Sequence, residues 1–243
     1  MKIKIFDSKE KLIEDLALWI GDLIKATLKN QEFFTMALSG GETPQGLFKK
    51  LGSKEYREKI DWQRVHIFWG DERAVPFDDD RNNAKMAYEN LLNHIDIPAA
   101  QIHKMRVDIE PVFSAKEYED ILHTYFDNTP NSFDLVLLGI GDDGHTLSLF
   151  PHSHVIEDHK NWVNAVYNEK QQMYRITLMP TIVNKASCIA FMVTGKNKAE
   201  ILHRIINGPY EPDVLPAQLI NPEKGELHWF LDEEAGAKID KIK

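Results

Sequence analysis

The sequence predicts an α/β fold: a mostly parallel, twisted sheet with helices on both faces, formed as a single domain over residues 1–243. Three observations carry that expectation. Short β-rich runs alternate with amphipathic stretches of helical period, which is the pattern of βα units. The run 133–138 is apolar enough for a strand buried on both faces. Glycine-rich loops follow several predicted strands, and ligands of such sheets bind beyond the carboxyl ends of strands. No internal repeat, low-complexity tract or Pro/Gly/Ser linker interrupts the pattern, so the chain reads as one domain.

Taken in order, residues 2–6 read as the first strand. Asp7 and Glu10 form a capping box for a helix to about Asn30, with Leu12, Leu16, Trp19, Ile20 and Leu23 on one face. Residues 33–38 predict a buried strand, followed by Ser39-Gly40-Gly41-Glu42-Thr43-Pro44 and a short helix ending before Gly52. The run 65–69 is a further strand. Asn82 or Asn83 can cap a helix through Leu92. Ser114 and Glu117 form a second capping box, with Phe113 and Tyr118 as its hydrophobic staple. After the strand at 133–138, the stretches 162–167, 174–178, 187–194 and 227–231 read as strands, with a helix near 197–207.

Composition narrows the function. With 43% hydrophobic and 28% charged residues the chain sits near the globular average, which excludes disordered, collagenous and disulfide-scaffold proteins. A formal net charge of −9 argues against a general binder of nucleic acid or anionic membrane, although a few local cations can still hold a phosphate. Cys188 is the one cysteine, so an internal disulfide and a multi-cysteine metal site are excluded and a reducing compartment is expected. In its apolar run it reads as a small buried hydrophobe. The first residues lack the apolar core of a signal peptide, and no stretch approaches the ~18–20 apolar residues of a membrane span. The expectation is a cytoplasmic protein that binds neither nucleic acid nor membrane; the sequence points to no particular protein partner.

Three loops and a basic pair can carry chemistry. In Ser39-Gly40-Gly41-Glu42-Thr43-Pro44, paired glycines let backbone N–H groups approach an anion at a helix start, and Pro44 suits the first helical position. An ordinary tight turn with Thr43 as N-cap would use the same residues. The loop is neither a Walker A motif nor a Gly-x-Gly-x-x-Gly fingerprint. Trp69-Gly70-Asp71-Glu72-Arg73 places three charges at a strand mouth, as a polar ligand or a surface ion-pair cluster would require. Gly139-Ile140-Gly141-Asp142-Asp143-Gly144-His145-Thr146 puts two carboxylates and a histidine among glycines after the most buried strand. Histidine is the commonest general acid–base group, and a carboxylate can fix its tautomer. Arg175 and Lys198 form the basic pair; a lysine at a helix start opposes the dipole unless it serves an anion, although solvated lysines are common. No His-x-x-x-His or His-Glu-x-x-His spacing occurs, and no metal site or cofactor is expected.

Together these blocks resemble the 6-phosphogluconolactonase family. The resemblance rests on Leu-Ser-Gly-Gly-Glu-Thr-Pro at 38–44, Trp-Gly-Asp-Glu-Arg-Ala-Val-Pro at 69–76 and the run 137–151 containing Asp-Gly-His-Thr-Leu-Ser-Leu-Phe-Pro. Arg-Ile-Thr-Leu at 175–178, Gly195 through Ala199 and the ending at Trp229–Asp232 extend it in the same order. It implies a Rossmann-like domain shared with glucosamine-6-phosphate deaminase and ribose-5-phosphate isomerase, here without a nucleotide. It implies hydrolysis of a sugar-phosphate lactone with no cofactor. Ser39, Gly40, Gly41, Thr43, Gly144, Arg73, Arg175 and Lys198 would build the sugar-phosphate cleft. His145 would be the general base, supported by Asp143 and Asp71, with Arg73 or backbone N–H groups as donors to the oxyanion. One segment departs: at 76–83 Asn83 matches the family's asparagine, while Asn82 stands for its serine and Asp79 or Asp80 for its histidine.

Two rivals follow. An amino-sugar-phosphate deaminase or isomerase of the same fold would continue Asp-Gly-His into Ile-Ala-Phe-Asn-Glu-Pro; here Thr-Leu-Ser-Leu-Phe-Pro follows, without the glutamate. A non-catalytic sugar-phosphate sensor would carry a DNA-binding module, for which residues 1–30 leave no room.

Overall fold

The computed structural model describes residues 1–239. Residues 240–243, the end of the expected domain, lie outside the described residues. In chain order, β1 (Lys2–Phe6) and α1 (Lys9–Thr27) precede β2 (Phe34–Leu38), α2 (Glu42–Leu51) and the short α3 (Lys54–Arg57). Then come β3 (Val65–Trp69), β4 (Asp71–Arg73), α4 (Asn83–Asn90), α5 (Pro111–Phe126) and β5 (Leu135–Leu138). The hairpin β6 (Val163–Asn168) and β7 (Met173–Leu178) leads through α6 (Pro180–Val183) to β8 (Cys188–Val193), α7 (Ala199–Asn207) and β9 (Glu226–Asp232).

Six strands pair in parallel in the order β1-β9-β8-β5-β2-β3. Every residue of β2, β5 and β8 is buried, which is why these runs lack a polar alternation. Alternate side chains of a strand point to opposite faces, and β9 shows what covers each. His228 and Phe230 pack against Trp19 of α1, while Trp229 between them shares a cavity wall with Ile205 and Ile206 of α7. Helices therefore lie on both faces, as the alternation predicts. The chain passes from β2 outward to β3 and later returns to β5 on the other flank of β2. That reversal opens a crevice beyond the carboxyl ends of β2 and β5.

The remaining strands differ from expectation. The runs predicted at 162–167 and 174–178 do not join the parallel sheet; they form an antiparallel hairpin. The three-residue strand Asp71–Arg73 joins its β7 edge, giving a separate sheet β4-β7-β6. A strand that short, made of three charged residues, carries no β signal.

Helix starts account for most other corrections. Ser8, not Asp7, caps α1 by accepting from Lys11 N–H, and α1 ends at Thr27. Gly41 rather than Thr43 is the N-cap of α2, so Pro44 is the third helical residue and not the first. Asn82 caps α4. The Ser114–Glu117 box and the Phe113–Tyr118 staple do not form. Pro111, with its φ preset for a first helical position, starts α5 about a turn earlier, so Ser114 falls inside the helix and Phe113 is exposed. The Ser114 hydroxyl instead donates to the Arg106 carbonyl. Cys188 is buried, as its apolar run predicts. No described helix is long and apolar enough to cross a membrane.

Candidate active site

Beyond β5 the chain turns through 139–144 and delivers His145 to the crevice. Asp143 Oδ1 lies 2.5 Å from His145 Nδ1 and also accepts the His145 backbone N–H at 3.2 Å. That hydrogen bond holds the Asp143 carboxyl down at about 2, against a desolvation that would raise it. A carboxylate on Nδ1 fixes the proton there and leaves the Nε2 lone pair free to take another. Close approach requires Gly141: a Cβ there would stand 2.0 Å from His145 Nδ1. The Phe150 ring packs on the imidazole, centroid to centroid 4.9 Å.

The small antiparallel sheet supplies the opposite wall. Register sets Arg73 across from Arg175 and Asp71 across from Thr177. Arg175 and Asp71 are both buried and pair at 3.2 Å between Nη2 and Oδ2. Burial lowers the Arg175 pKa, and the Asp71 charge opposes that fall. Ser148 Oγ donates to the same Asp71 oxygen at 2.7 Å and accepts from Arg175 Nε at 3.1 Å. Arg73 donates through Nη1 to the Arg81 carbonyl at 2.6 Å, while its Nε is buried without a hydrogen-bond partner. The loop that departs from the family pattern thus touches the site through the Arg81 backbone.

Glu72 ties this wall to α4. Its carboxyl accepts the backbone N–H groups of Arg73, Asn83 and Ala84, each at 2.7 Å. Burial pushes its pKa up to about 7 in spite of those donors. Asn83, so held, donates to the Asp71 carbonyl at 2.9 Å. It also abuts the first glycine loop, where a Cβ on Gly40 would stand 2.0 Å from Asn83 Oδ1.

These pieces enclose a polar pocket of ≈110 Å³ at the switch point, whose lining includes Ser39, Gly40, Asp71, Arg73, His145 and Arg175. Larger cavities of ≈540 and ≈630 Å³ lie elsewhere, but their walls lack this convergence of histidine, carboxylate and guanidinium groups. Of the predicted residues, Gly41, Thr43, Asp143, Gly144 and Lys198 are not among those lining the pocket. The Thr43 hydroxyl bonds that of Thr194 at 2.8 Å, and the Gly144 carbonyl accepts from Ala217 N–H. Lys198 Nζ donates to the carbonyl of Ile140, a lining residue, at 2.9 Å and pairs with Asp142 at 2.5 Å. Asp71 gives its carboxylate to Arg175, Ser148 and Asn83; among the described residues no hydrogen bond joins it to His145.

A search with family models matches residues 7–229 to glucosamine-6-phosphate isomerases/6-phosphogluconolactonase. A 6-phosphogluconolactonase of Nostoc is 38% identical over 220 residues, covering 89% of each chain. One from Haemophilus influenzae is 40% identical over 200 residues, covering 82% of this chain and 85% of its own. The solved structure of 6-phosphogluconolactonase from Trypanosoma cruzi superposes with a TM-score of 0.86 at 27% identity, over 98% of this chain and 97% of that one.

The chain belongs to the glucosamine-6-phosphate isomerase/6-phosphogluconolactonase family.

Within that family frame, Thr146, Leu147 and Ser148 fall in the motif run 137–151 but have no separate role assigned from sequence. Leu147 adopts the left-handed φ of +55° that turns Ser148 inward. A serine between two leucines, Leu147 and Leu149, was the available signal for a buried hydroxyl. Among the described residues, Cys188, Glu226 and His228 bring three metal-type donors within 4.8 Å. They lie at the amino ends of β8 and β9, away from the pocket, and Lys2 pairs with Glu226 there.

Proposed function

We propose that this chain hydrolyses 6-phospho-D-glucono-1,5-lactone to 6-phospho-D-gluconate, the lactone-opening step of the oxidative pentose phosphate pathway. The observation that carries the reading is the Asp143–His145 dyad facing two arginines in one polar pocket of a chain 38–40% identical to named 6-phosphogluconolactonases. A δ-lactone is an activated ester, so water can attack its carbonyl directly. His145 takes the proton of that water through Nε2 and returns it to the departing ring oxygen, with Asp143 orienting the ring. Arg73 lines the same pocket as His145 and is the cationic donor assigned to the oxyanion. Arg175, Ser39 and Gly40 line the phosphate side, and Gly41, Thr43 at the start of α2 and Lys198 back it without lining the pocket themselves. Lys198 belongs there because its ammonium sits on the Ile140 carbonyl at the pocket wall. Gly144 shapes the turn that presents His145, and Asp71 acts on Arg175 rather than on the histidine. The reaction consumes only water, so no cofactor enters. A buried free cysteine and a predominantly polar pocket suit a cytoplasmic enzyme working as one domain over 1–243.

The test is acid release from freshly prepared 6-phosphogluconolactone, with spontaneous opening subtracted. Hydrogen bonds to charged groups contribute about 1.5–3 kcal/mol each, so glucono-lactone without the phosphate should be at least ~100-fold poorer in kcat/KM. No acceleration over background would refute the lactonase reading. Equal rates on both lactones would refute the phosphate side alone.

A further inference from the structure

Arg175 reaches the pocket already engaged, and the group that engages it is neither substrate nor dyad. We propose that Ser148 is a positioning residue that locks Asp71 onto Arg175 and so sets how the guanidinium meets a bound phosphate. This rests on the lactonase reading for its substrate and on the packing around Ser148 for its argument.

The register places Arg73 directly across from Arg175, a like-charge pair that an antiparallel ladder disfavours. Asp71, one step diagonal, supplies the compensating charge; burial chiefly depresses the Arg175 pKa, Asp71 opposes that, and the Arg73 charge adds to the depression. A diagonal pair can close in more than one geometry, and a third group bonded to both partners selects one. Ser148 is fully buried, and its single hydroxyl touches both charges, donating to Asp71 Oδ2 at 2.7 Å and accepting from Arg175 Nε at 3.1 Å. Its own place is fixed from two sides. Thr146 Oγ1 donates to the Gly139 carbonyl at 2.8 Å, and Ser148 N–H donates to Thr177 Oγ1 at 3.1 Å.

The donors of Arg175 are then spent unequally. Nε serves Ser148 and Nη2 serves Asp71, while Nη1 has only a 3.3 Å contact to the Gln171 amide oxygen on the hairpin turn. That long, neutral contact is the one a phosphate oxygen can replace, so the guanidinium edge left to the ligand is chosen by the other two bonds. Removing the hydroxyl frees Nε and one Asp71 lone pair. The pair then closes on itself, and the Nη1 edge turns from the pocket.

The experiment compares wild type, Ser148→Ala and Ser148→Thr. It measures the dissociation constant for 6-phosphogluconate by calorimetry and kcat and KM on both lactones. Ser148→Ala should weaken 6-phosphogluconate and raise KM for the phosphorylated lactone by about 10-fold, the worth of one hydrogen bond to a charged group. Its kcat should fall by less than about three-fold, and turnover of glucono-lactone should change by less than about two-fold. Ser148→Thr, which keeps the hydroxyl, should recover most of the affinity. Should the alanine variant not fold, Ser148→Cys fills the same volume with a weak donor and is read by the same criteria. Unchanged affinity in a folded variant, or equal losses on both lactones, overturns the proposal, as does wild type that binds no 6-phosphogluconate. Wild type that binds 6-phosphogluconate but opens no lactone overturns the lactonase reading instead, and the affinities still decide the role of Ser148.

Discussion

In the six-stranded sheet, β2, β5 and β8 bury every side chain, and almost all are apolar. In the sheet β4-β7-β6 the buried positions include Asp71, Glu72, Arg175 and Thr177. The second sheet also has exposed positions, such as Tyr167 and Tyr174, but where it is buried the contrast is plain: one region is filled by side chains that need no partners and the other by groups that must be paired. The parallel sheet can therefore tolerate variation of like volume, whereas the antiparallel one stands only while its hydrogen bonds close. What this teaches is a separation of tasks: burial in the first region secures the fold, and burial in the second keeps charges oriented beside a pocket.

The largest expected effects break that comparison in opposite ways. His145→Ala should lower kcat by roughly 10²–10⁴-fold, the usual worth of a positioned acid–base group, with the thermal midpoint barely moved. Activity kept within a few-fold would remove His145 from the chemistry. In the parallel sheet, Phe191 is fully buried and stacked on Trp229 at 4.0 Å. Phe191→Ala should cost about 3–5 kcal/mol of stability in denaturant melts while the folded fraction keeps its kcat. A kcat loss beyond ten-fold in that folded fraction would mean that the two regions are not separable.

The same division explains what could be read in advance. Runs such as 133–138 and 187–194 announce themselves because burial on both faces leaves a continuous apolar record, and the glycine loops after them announce a site. Hence His145, Asp143, Arg73 and Arg175 were legible as candidates. Asp71–Arg73 was not legible as a strand, since its β structure comes from a partner more than a hundred residues away. Ser148 was hidden for the same reason: a hydroxyl's importance depends on which charges the fold brings to it. Ser114 misled because a cap signal is local and the neighbouring Pro111 was a stronger one.

A pH experiment probes the polar region at smaller energy. Glu72 has its pKa raised from 4.5 to about 7 in the folded state, chiefly by burial. Its protonated form is favoured by folding, so this contribution is complete below pH ~4.5 and is lost as pH rises through about 7. The loss amounts to about 3 kcal/mol across that window. His103, whose burial brings its imidazole down to about 4, acts in the opposite sense, since folding disfavours its charged form as pH falls. The informative quantity is thus the difference between wild type and Glu72→Gln in chemical unfolding from pH 5 to 8. Wild type should lose stability relative to the variant on going alkaline. A parallel pair of curves would show Glu72 ionised throughout, held by its three N–H donors.

The smallest effect tests whether the two regions meet anywhere besides Ser148. Among the described residues, Phe150 is the one side chain whose ring touches both the dyad and the ion pair. It packs on His145 at 4.9 Å between centroids and lies under the Arg175 guanidinium at 6.0 Å. A cation over an aromatic face is worth about 0.5–1 kcal/mol when exposed and about 2 kcal/mol when desolvated. Arg175 is buried, but at 6.0 Å it stands at the outer limit of the contact, so the lower range applies. Leucine keeps the apolar wall against His145 but has no π face, so Phe150→Leu removes that attraction with little change in volume and less than about 1.5 kcal/mol of stability. The expected loss in kcat/KM on the phosphorylated lactone is about two- to five-fold, with a smaller change on glucono-lactone, if Arg175 serves the phosphate as proposed. Equal losses on both substrates would place the ring's role at His145, and no loss on either would leave Ser148 as the sole link between dyad segment and ion pair. A loss above ten-fold would show that ring packing, rather than Asp143 alone, sets the imidazole's aim at the water.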